Sequence, residues 1–391
     1  MVVPVALKGD KELIEEIFTD GTDGVNDKLL RRYAGGYEKA VNNVFGSGKQ
    51  LPELERRLQL NAGRFGTYKA YDLGKRLDAL RSLPREEYQE KAKALLATYN
   101  GYQKTEYDTL TSRCRTAKQW ERFKEEADLY PNIEWIRTRS ATPREVHLAY
   151  VGIILPRNDP FWSENQPGNE WGCKCDWKTT DAPATASPAV SIKPAPGLEG
   201  NPGETGELVT ERHPYYRRNT DAPKWVEDKA VLRCPDRVVY SERATTAGNA
   251  YKEHLLVVGT REVARNRLIA ALLADNGYRD IALLPRINEV EKAQRIRYFG
   301  AKYTTKHPTA NPDAVIDGIN VEFKVTNFRN MSRQIKRAAT QADIAVLKVE
   351  QSLTDNYIQR FVKGQWAHAD RQNLSEIIII NNGRLHRFKR P

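Results

Sequence analysis

The chain has 391 residues, 40% of them hydrophobic, which is enough for two or three domains with apolar cores. Its 62 Lys and Arg against 51 Asp and Glu give a formal net charge of +11. This charge favours a polyanionic partner such as nucleic acid, the alternative being a basic surface that only aids solubility. Four cysteines are too few for a disulfide scaffold, and no stretch approaches the roughly 18 apolar residues of a membrane span. The first residues lack the pattern of a secretory signal, so we expect synthesis in a cytoplasm without membrane association.

The first part of the chain, residues 10 to about 128, is predicted to be mostly helical. The stretches "DKELIEEIF" and "NDKLLRRYAGGYEKAVNNVF" place apolar residues at steps of three and four. A longer run with the same period starts at Pro84, and proline is typical of the first turn of a helix. Residues 129 to 180 are richer in tryptophan, proline and β-branched residues, which predicts a compact α+β end to this first domain.

Residues 181 to 225 are predicted to be an extended, mobile linker. The segment is rich in Pro, Ala, Gly and Ser and has no apolar period, so it lacks the surface needed to offset its ordering entropy. The predicted domains are therefore 1–180, the linker 181–225, and a second globular unit 226–391.

The second unit is predicted to have the element order αβββαβ followed by a closing hairpin. An amphipathic helix over "TREVARNRLIAALLADNGY" precedes a short strand, and "DAVIDGINVEFKV" predicts a hairpin with Asp317 and Gly318 as its turn. A helix over "NMSRQIKRAATQA", a buried strand over "DIAVLKV" and a hairpin over "SEIIIINNGRLHRF" follow. The fold class is thus a mainly α first domain and an α/β second domain.

Residues 134 to 176 resemble the end of the phage Mu F-like minor head proteins, also called head morphogenesis proteins. The matching features are Trp135, Arg137, His147, the "NDPFW" stretch and "QPGNEWGCKC". The helical stretch before them is similar as well, so the resemblance covers roughly residues 10 to 180. It implies a place in the phage capsid near the portal, in few copies, and no catalysis. The chain departs from the family in the turn before Trp171 and in the residues before the histidine.

Two cysteines in this stretch form a candidate zinc site. In Cys173-Lys174-Cys175 both sulfurs lie on one side of an extended strand, and His147 could join them. This gives three ligands for Zn²⁺, one fewer than a structural site requires, with Asp176 as a possible fourth. The alternative, which we favour at this point, is two buried cysteines packed on Trp162 and Trp171 as small hydrophobic residues.

The stretch "NPDAVIDGINVEFK", residues 311–324, carries the candidate catalytic residues. If Asp317 and Gly318 form the turn, Asp313 opposes Glu322 across the hairpin, and Lys324 shares the face of Glu322. Two opposed carboxylates repel unless a metal ion or Lys324 compensates their charge. Carboxylates at this spacing can hold Mg²⁺, and a nearby cation can stabilise the transition state of phosphodiester hydrolysis. The bland alternative is a half-exposed strand with charged residues on its wet face.

Pro312 with Asp313, then Glu322 and Lys324, within an αβββαβ order, resembles the PD-(D/E)XK nuclease superfamily. The resemblance implies a restriction-endonuclease-like fold, a divalent ion such as Mg²⁺ on Asp313 and Glu322, and a further acidic residue from the first helix. We expect Glu262 in that role, with Glu253 as the second choice. A glutamine from the following helix is also implied, with Gln334 and Gln341 as candidates.

More narrowly, residues 250–391 resemble the C-terminal tRNase domains of contact-dependent growth inhibition toxins. The stretch from residue 311 to 324, followed by "QIKRAATQAD" and a β-rich end, carries this likeness. It implies a polymorphic toxin layout with a delivery part, a linker and a terminal nuclease that has a cognate immunity protein. The basic side chains expected to contact phosphates are Arg333, Lys336, Arg337, Arg384 and Arg387.

Together these features predict a phage minor head protein that carries a metal-dependent nuclease acting on tRNA or other nucleic acid. It would reside in the virion, and in the host cytoplasm during synthesis and after delivery. One alternative is a structural capsid protein whose second domain only binds nucleic acid. Another is a metal-independent RNase of the barnase or colicin type, in which His307, Lys324 and His386 would act as acid, base and phosphate clamp.

Overall fold

A computed structural model describes residues 6–22, 24–46, 52–138, 145–188 and 192–391. The chain divides into two compact units, Met1–Cys234 and Pro235–Pro391. None of the described helices is both long and apolar enough to cross a membrane.

Four long helices form the body of the first unit, which confirms the prediction of a mainly helical region. Pro84 directly precedes the longest of them, as expected. Two helices approach very closely at Gly66, where an added Cβ would lie 2.3 Å from the Ala34 Cα, so only glycine fits there. The four helices are α1 (Asp10–Asp20), α2 (Asp27–Phe45), α3 (Glu53–Leu80) and α4 (Arg85–Glu125).

A small three-stranded antiparallel sheet follows these helices, which confirms the predicted α+β end. Its strands are ordered β2-β1-β3, and the core beside it contains four buried tryptophans: Trp120, Trp135, Trp162 and Trp177. The elements are β1 (Asn132–Ile136), α5 (Glu145–Leu148), β2 (Ile154–Pro156), α6 (Phe161–Glu164) and β3 (Asp176–Thr180).

The segment after β3 does not form the expected linker over most of its length, since its residues from 192 onward pack along the first unit. It contains the short helices α7 (Pro202–Thr205) and α8 (Pro214–Arg217), followed by α9 (Lys224–Arg233). Its buried apolar side chains include Leu198, Leu208, Val209, Tyr215 and Tyr216. The boundary between the compact units accordingly lies at 234/235 rather than within 181–225.

Buried polar side chains of the long helices hold this irregular segment. Asn61 Oδ1 accepts hydrogen bonds from the backbone N–H groups of Leu208 and Val209, both at 2.9 Å, and its Nδ2 donates to the Val209 carbonyl at 3.0 Å. Arg113, fully buried, donates to the carbonyls of Leu198 at 3.0 Å and Gly200 at 2.9 Å. The composition of this segment predicts disorder, because composition carries no information about Asn61 and Arg113, the side chains elsewhere in the chain that hydrogen-bond to its backbone.

The second unit is built on a mixed eight-stranded sheet of order β11-β10-β9-β8-β7-β6-β5-β4. Strands β8, β9 and β10 run parallel to one another, and β11 closes the edge antiparallel to β10. The strands are β4 (Tyr240–Ala244), β5 (Ala250–His254), β6 (Ala282–Leu283), β7 (Ala314–Ile316), β8 (Ile319–Thr326), β9 (Ile344–Val349), β10 (Glu376–Asn381) and β11 (Arg384–Lys389). The helices are α10 (Asp236–Val239), α11 (Val263–Asp275), α12 (Lys292–Phe299), α13 (Ala301–Lys306), α14 (Met331–Ala339) and α15 (Asp355–Gln365).

The sheet separates two apolar cores. Helix α11 packs on one face, over Val321 and Phe323 among others, and helices α14 and α15 pack on the other face, over Ala345 and Leu347. Every element of the predicted αβββαβ order is present as α11, β6, β7, β8, α14 and β9, and the closing hairpin is β10 and β11. The additional elements β4, β5, α10, α12, α13 and α15 were not predicted. The mixed sheet is thus confirmed, whereas a restriction-endonuclease-like fold stays a prediction.

Packing of residues 192–234 predicts resistance to proteolysis. We expect limited trypsin digestion of the full chain to leave this segment intact, although it contains several Lys and Arg. Replacement of Asn61 by Ala removes three buried hydrogen bonds, which should cost about 2–4 kcal/mol of unfolding free energy and expose the segment to cleavage. The control Asn43→Ala, at an exposed position on α2, should leave the digestion pattern unchanged. Rapid cleavage of the wild-type chain within 192–234 would contradict this arrangement.

Candidate functional site

The β7–β8 hairpin has the register predicted from the sequence. Ile316 pairs with Ile319 and Ala314 with Val321, so the turn consists of Asp317 and Gly318. Both turn residues have positive φ, 49° and 79°, as a type I′ turn requires, and the twist of such a turn matches that of the flanking strands. Asp313, one residue before β7, therefore lies beside Glu322, and its backbone N–H donates to the Val321 carbonyl at 3.0 Å.

The Asp313 carboxylate is held from three directions. Its Oδ1 accepts hydrogen bonds from Asn266 Nδ2 at 2.9 Å and from Arg265 Nη2 at 3.2 Å, both on helix α11. Its Oδ2 accepts from the backbone N–H of Phe323 at 2.9 Å, a position that β7 is too short to pair. The carboxylate is thus fixed at the end of β7, against the middle of β8.

Glu322 is buried, with 3% of its surface exposed, and it forms an ion pair with Lys324 through Oε1. Its Oε2 is buried and has no hydrogen-bond partner in the described part of the chain. Burial raises the pKa of Glu322 to about 7, with the Asp313 charge as a further cause, and Lys324 acts in the opposite direction. A buried oxygen without a donor is costly, so this atom is available to a cation or a water molecule.

Glu262 shares a cleft with Asp313. It precedes helix α11 and forms ion pairs with Arg286 and, at 3.6 Å, with Arg265. The cleft encloses about 20 Å³, enough for one water or ion, and Asn266 and Asn311 also line it. Arg265 therefore connects Glu262 to Asp313, and its positive charge also lowers the pKa of Glu322. Arg265 and Asn266 were not predicted from the sequence, although they lie three and four residues after Glu262 and so follow it on the same side of a helix.

The second-choice residues have other roles. Glu253 is fully buried on β5 between Arg243 and Arg267, at 2.6 Å and 2.7 Å, which makes it a structural ion-pair centre. Gln341 follows α14, and its backbone carbonyl accepts from the Tyr303 hydroxyl. Gln334 lies half-buried on α14. None of these three lines the cleft of Glu262 and Asp313.

The predicted basic residues are divided between the two faces of the sheet. Helix α14 packs on the face that carries Glu322 and Lys324, since their register partners Ala345 and Leu347 contact it. Its outer side exposes Arg333, Lys336 and Arg337. Lys336 pairs with Asp370 at 3.1 Å, whereas Arg333 and Arg337 form no ion pair within residues 192–391.

The two residues of β11 that were predicted to contact phosphate do not act together. Arg384 is exposed and lies 3.9 Å from Asp355. Arg387 occupies the opposite face, where it pairs with the buried Glu376 and stacks over Tyr278. Arg387 is thus a structural residue, while Arg384 stays a candidate for phosphate contact.

The three residues of the metal-independent alternative are not assembled. Lys324, Leu347, Ile379 and His386 are successive register partners on β8 to β11, so two strands separate Lys324 from His386. At about 4.8 Å per strand they lie roughly 14 Å apart. His307 is buried, and burial lowers its pKa from the ordinary value. This arrangement lacks an acid and a base that converge on one substrate.

In the first unit, the sequence-predicted metal ligands converge. The Nδ1 atom of His147 lies 3.5 Å from Cys173 Sγ and 3.4 Å from Cys175 Sγ. These three side chains form the one set of three or more His, Cys, Asp or Glu ligand atoms within 4.8 Å of one another in the described residues. Asp176 is excluded from this set, since its Oδ1 accepts from Gln119 at 3.0 Å and from the Trp177 N–H at 2.9 Å.

The hydrophobic interpretation of the two cysteines is only partly consistent with their contacts. Cys175 packs beside the cluster that contains Trp162. Trp171 instead packs on Phe65 and His213 in the core of the long helices. The hydrogen bond from the Cys175 thiol, with a further one to His147, lowers the pKa of Cys173 from its ordinary value against the effect of burial.

Comparisons with known proteins agree with the two resemblances predicted from the sequence. Residues 309–385 match the family described as the contact-dependent growth inhibition CdiA C-terminal domain. The chain is also 29% identical over 92 residues to the Mu-like prophage FluMu F protein of Haemophilus influenzae, a stretch that covers 22% of this chain and 22% of that protein. No solved structure matches the chain. The matched family segment includes Asp313, Glu322 and Lys324 but not Glu262 or Arg265.

The raised pKa of Glu322 predicts a pH-dependent stability. In a folded chain without divalent ions, Glu322 binds its proton up to about pH 7, whereas an unfolded glutamate loses it near pH 4.5. The wild-type chain therefore loses stability as the pH rises from 4.5 through 7. Glu322→Gln cannot ionise and should not show this loss. At pH 8 the wild-type chain should have lost up to about 3 kcal/mol of unfolding free energy that the variant keeps.

Hydrogen exchange of residues 313–326, compared between the two chains at each pH, measures this difference. Asp317→Asn, at the exposed tip of the same hairpin, serves as the control and should follow the wild type. A constant difference between Glu322→Gln and wild type from pH 5 to pH 8 would show that Glu322 does not carry the effect.

Proposed function

We propose that the second unit is a metal-dependent nuclease of the toxin type, with tRNA as its substrate, carried by a phage head-like first unit. The observation that carries this proposal is the hairpin register, which makes Asp313 and Glu322 neighbours, together with Glu322 Oε2, which is buried and has no hydrogen-bond partner among the described residues. The family match over residues 309–385 supports a growth-inhibitory role for the same segment.

The oxygen atoms of this pair fit a hard divalent ion such as Mg²⁺. Glu322 Oε2 has no donor, and Asp313 Oδ2 accepts a single hydrogen bond, so both retain lone pairs. Such an ion would supply Lewis-acid polarisation of a phosphate oxygen and an activated water molecule. Its charge would also stabilise the ionised form of Glu322 and thereby lower the pKa of that residue.

Each nearby side chain has a distinct role in this proposal. Lys324, which is fixed on Glu322 Oε1, provides a positive charge for the transition state. Glu262 orients Arg265, and Arg265 holds Asp313 in position. Arg265 is a counter-ion of Asp313 within the chain, so it would share that carboxylate with a bound metal ion.

The exposed basic side of α14 is proposed to contact the phosphate backbone. Arg333 and Arg337 are free of carboxylates in residues 192–391 and lie on the side of the sheet that carries Lys324. A cell that makes such a nuclease requires an immunity protein, which we propose as a second partner. The first unit would associate with capsid and portal proteins and place the chain in the virion, from which it would enter the host cytoplasm.

A second candidate function is nucleic-acid binding without cleavage. It is favoured by the contacts within the chain, because Arg265 and Asn266 hydrogen-bond to Asp313 and Lys324 pairs with Glu322. In that case the acidic pair would be structural, and the basic side of α14 alone would bind nucleic acid.

Cleavage assays distinguish the two functions. The full chain should cut purified tRNA in Mg²⁺, and EDTA should abolish the cut. Asp313→Asn, Glu322→Gln and Lys324→Ala should each lower the rate by about a hundredfold or more, since each removes a group that acts on the reacting phosphate. Asp317→Asn is the matched control in the same hairpin and should keep the wild-type rate.

Plasmid DNA in a parallel reaction tests the choice of substrate. Cleavage of DNA alone would contradict tRNA as the substrate while leaving the nuclease intact. Failure to cut either polymer with Mg²⁺, Mn²⁺ or Zn²⁺, together with unchanged tRNA binding, would establish the binding function instead.

Binding to tRNA should depend on the basic side of α14. Arg333→Ala and Arg337→Ala should each weaken binding and reduce the slope of log K against log salt by roughly one, as expected for one phosphate contact. Lys363→Ala, an exposed change on α15, is the control. We expect fluorescence anisotropy in Mg²⁺-free buffer to measure these slopes, and equal slopes for all chains would exclude α14 as the contact surface.

A further inference from the structure

The first unit contains a second polar centre that the nuclease proposal does not use. His147, on the short helix α5, and Cys173 with Cys175, just before β3, come from segments 26 and 28 residues apart. His147 is 2% exposed and Cys173 6% exposed, while Cys175 is half-buried. The β1 strand, which pairs with both β2 and β3, brings the two segments together.

The distances in this centre match those of a metal site with tetrahedral geometry. Zn²⁺ bonds to sulfur at about 2.3 Å and to imidazole nitrogen at about 2.0–2.1 Å, so a tetrahedral angle separates the two ligand atoms by about 3.6 Å. The observed separations from His147 Nδ1 are 3.5 Å to Cys173 Sγ and 3.4 Å to Cys175 Sγ. Nδ1 thus faces both sulfurs at the spacing that one shared ion requires.

The surroundings of the histidine do not supply another reason for its burial. His147 Nε2 is buried and has no hydrogen-bond partner in the described part of the chain. The ring packs edge to face against Trp135, with 6.2 Å between ring centroids. Within the described residues the His147 Nδ1 atom contacts two sulfur atoms, and such contacts stabilise a buried imidazole little, because thiols are weak donors and acceptors.

One side of the centre is open. Cys173 and Cys175 line a cavity of about 630 Å³, which Asn43, Thr116 and Gln119 also border. Asp176 borders it too, but its Oδ1 is already bonded to Gln119 and to a backbone N–H. A fourth ligand to an ion in this centre would therefore be a water molecule from the cavity.

We propose that His147 Nδ1, Cys173 Sγ and Cys175 Sγ bind one Zn²⁺ ion whose fourth position is occupied by water and faces the cavity. Two thiolates and one imidazole form a soft donor set, which selects Zn²⁺ over Mg²⁺. The ion would join α5 to the start of β3, and its binding energy would stabilise the small sheet.

Metal binding by the full chain tests this proposal. Chain purified under reducing conditions and stripped with chelator should bind one Co²⁺, with visible absorption bands typical of tetrahedral Co²⁺ and a thiolate charge-transfer band in the near ultraviolet. Zn²⁺ should displace the Co²⁺, whereas a large excess of Mg²⁺ should not. Zn²⁺ should also protect two thiols from a thiol-specific reagent under native conditions.

Matched variants assign the ligands. His147→Ala, Cys173→Ala and Cys175→Ala should each weaken Co²⁺ binding by about a hundredfold. The control Cys234→Ala, at a buried cysteine elsewhere in the first unit, should bind as the wild type does. Glu322→Gln should also bind normally, so a failed nuclease assay and a failed zinc assay have separate causes.

Two results would overturn the proposal. A folded wild-type chain that binds neither Co²⁺ nor Zn²⁺ would exclude the site, and so would full binding that persists in both cysteine variants. If the variants fail to fold, the wild-type Co²⁺ spectrum decides, because the absence of a thiolate charge-transfer band excludes cysteine ligands.

Discussion

The second unit depends on the compensation of two carboxylates that the β7–β8 register forces together. Asp313 and Glu322 are adjacent because the two-residue turn at Asp317 permits no other pairing. Their mutual repulsion and the burial of Glu322 both oppose ionisation. Arg265 and Lys324 supply the opposing charge from within the chain. The hairpin can therefore fold without an added ion, at the cost of keeping Glu322 near its point of protonation at neutral pH.

The same register determines the core of this unit. Side chains alternate along β8, so Val321 and Phe323 pack under α11 while Glu322 and Lys324 face the side of α14. A slip of one residue would bury the charged pair under α11 and expose both apolar side chains. Stability and the candidate site are thus specified by one feature, so a substitution that shifts the register would act on both. This coupling explains how a short local signal can make Asp313 and Glu322 neighbours.

Local signals predicted the hairpin, its register, the alternation of β8 and the helices on either side, because each depends on neighbouring residues in the sequence. Arg265 and Asn266 could not be assigned, since their contact with Asp313 spans almost fifty residues. Residues 192–225 were assigned to a linker for the same reason: Asn61 and Arg113, which hold this segment, lie far back in the long helices. Helices α12 and α13, which lie between β6 and β7, were not predicted because their sequences lack a strong apolar period. Composition indicates how much apolar surface a segment can bury by itself. It does not indicate which distant side chains will pack against that segment or hydrogen-bond to it.

The two polar centres differ in the chemistry of their donor atoms, and this difference separates their occupants. Asp313 and Glu322 present carboxylate oxygens, which are hard ligands, whereas Cys173 and Cys175 with His147 present sulfur and nitrogen, which are soft. A cell holds Mg²⁺ in large excess over free Zn²⁺, so the oxygen centre does not need high affinity, while the sulfur centre does. The contacts are consistent with this division. Arg265 and Lys324 already neutralise the carboxylates, so an ion proposed there would bind weakly, whereas the contacts between His147 and the two sulfur atoms of the other centre involve no cation among the described residues. An ion bound tightly in the first unit and loosely in the second would leave the nuclease dependent on the metal of its surroundings while the head-like unit keeps its own.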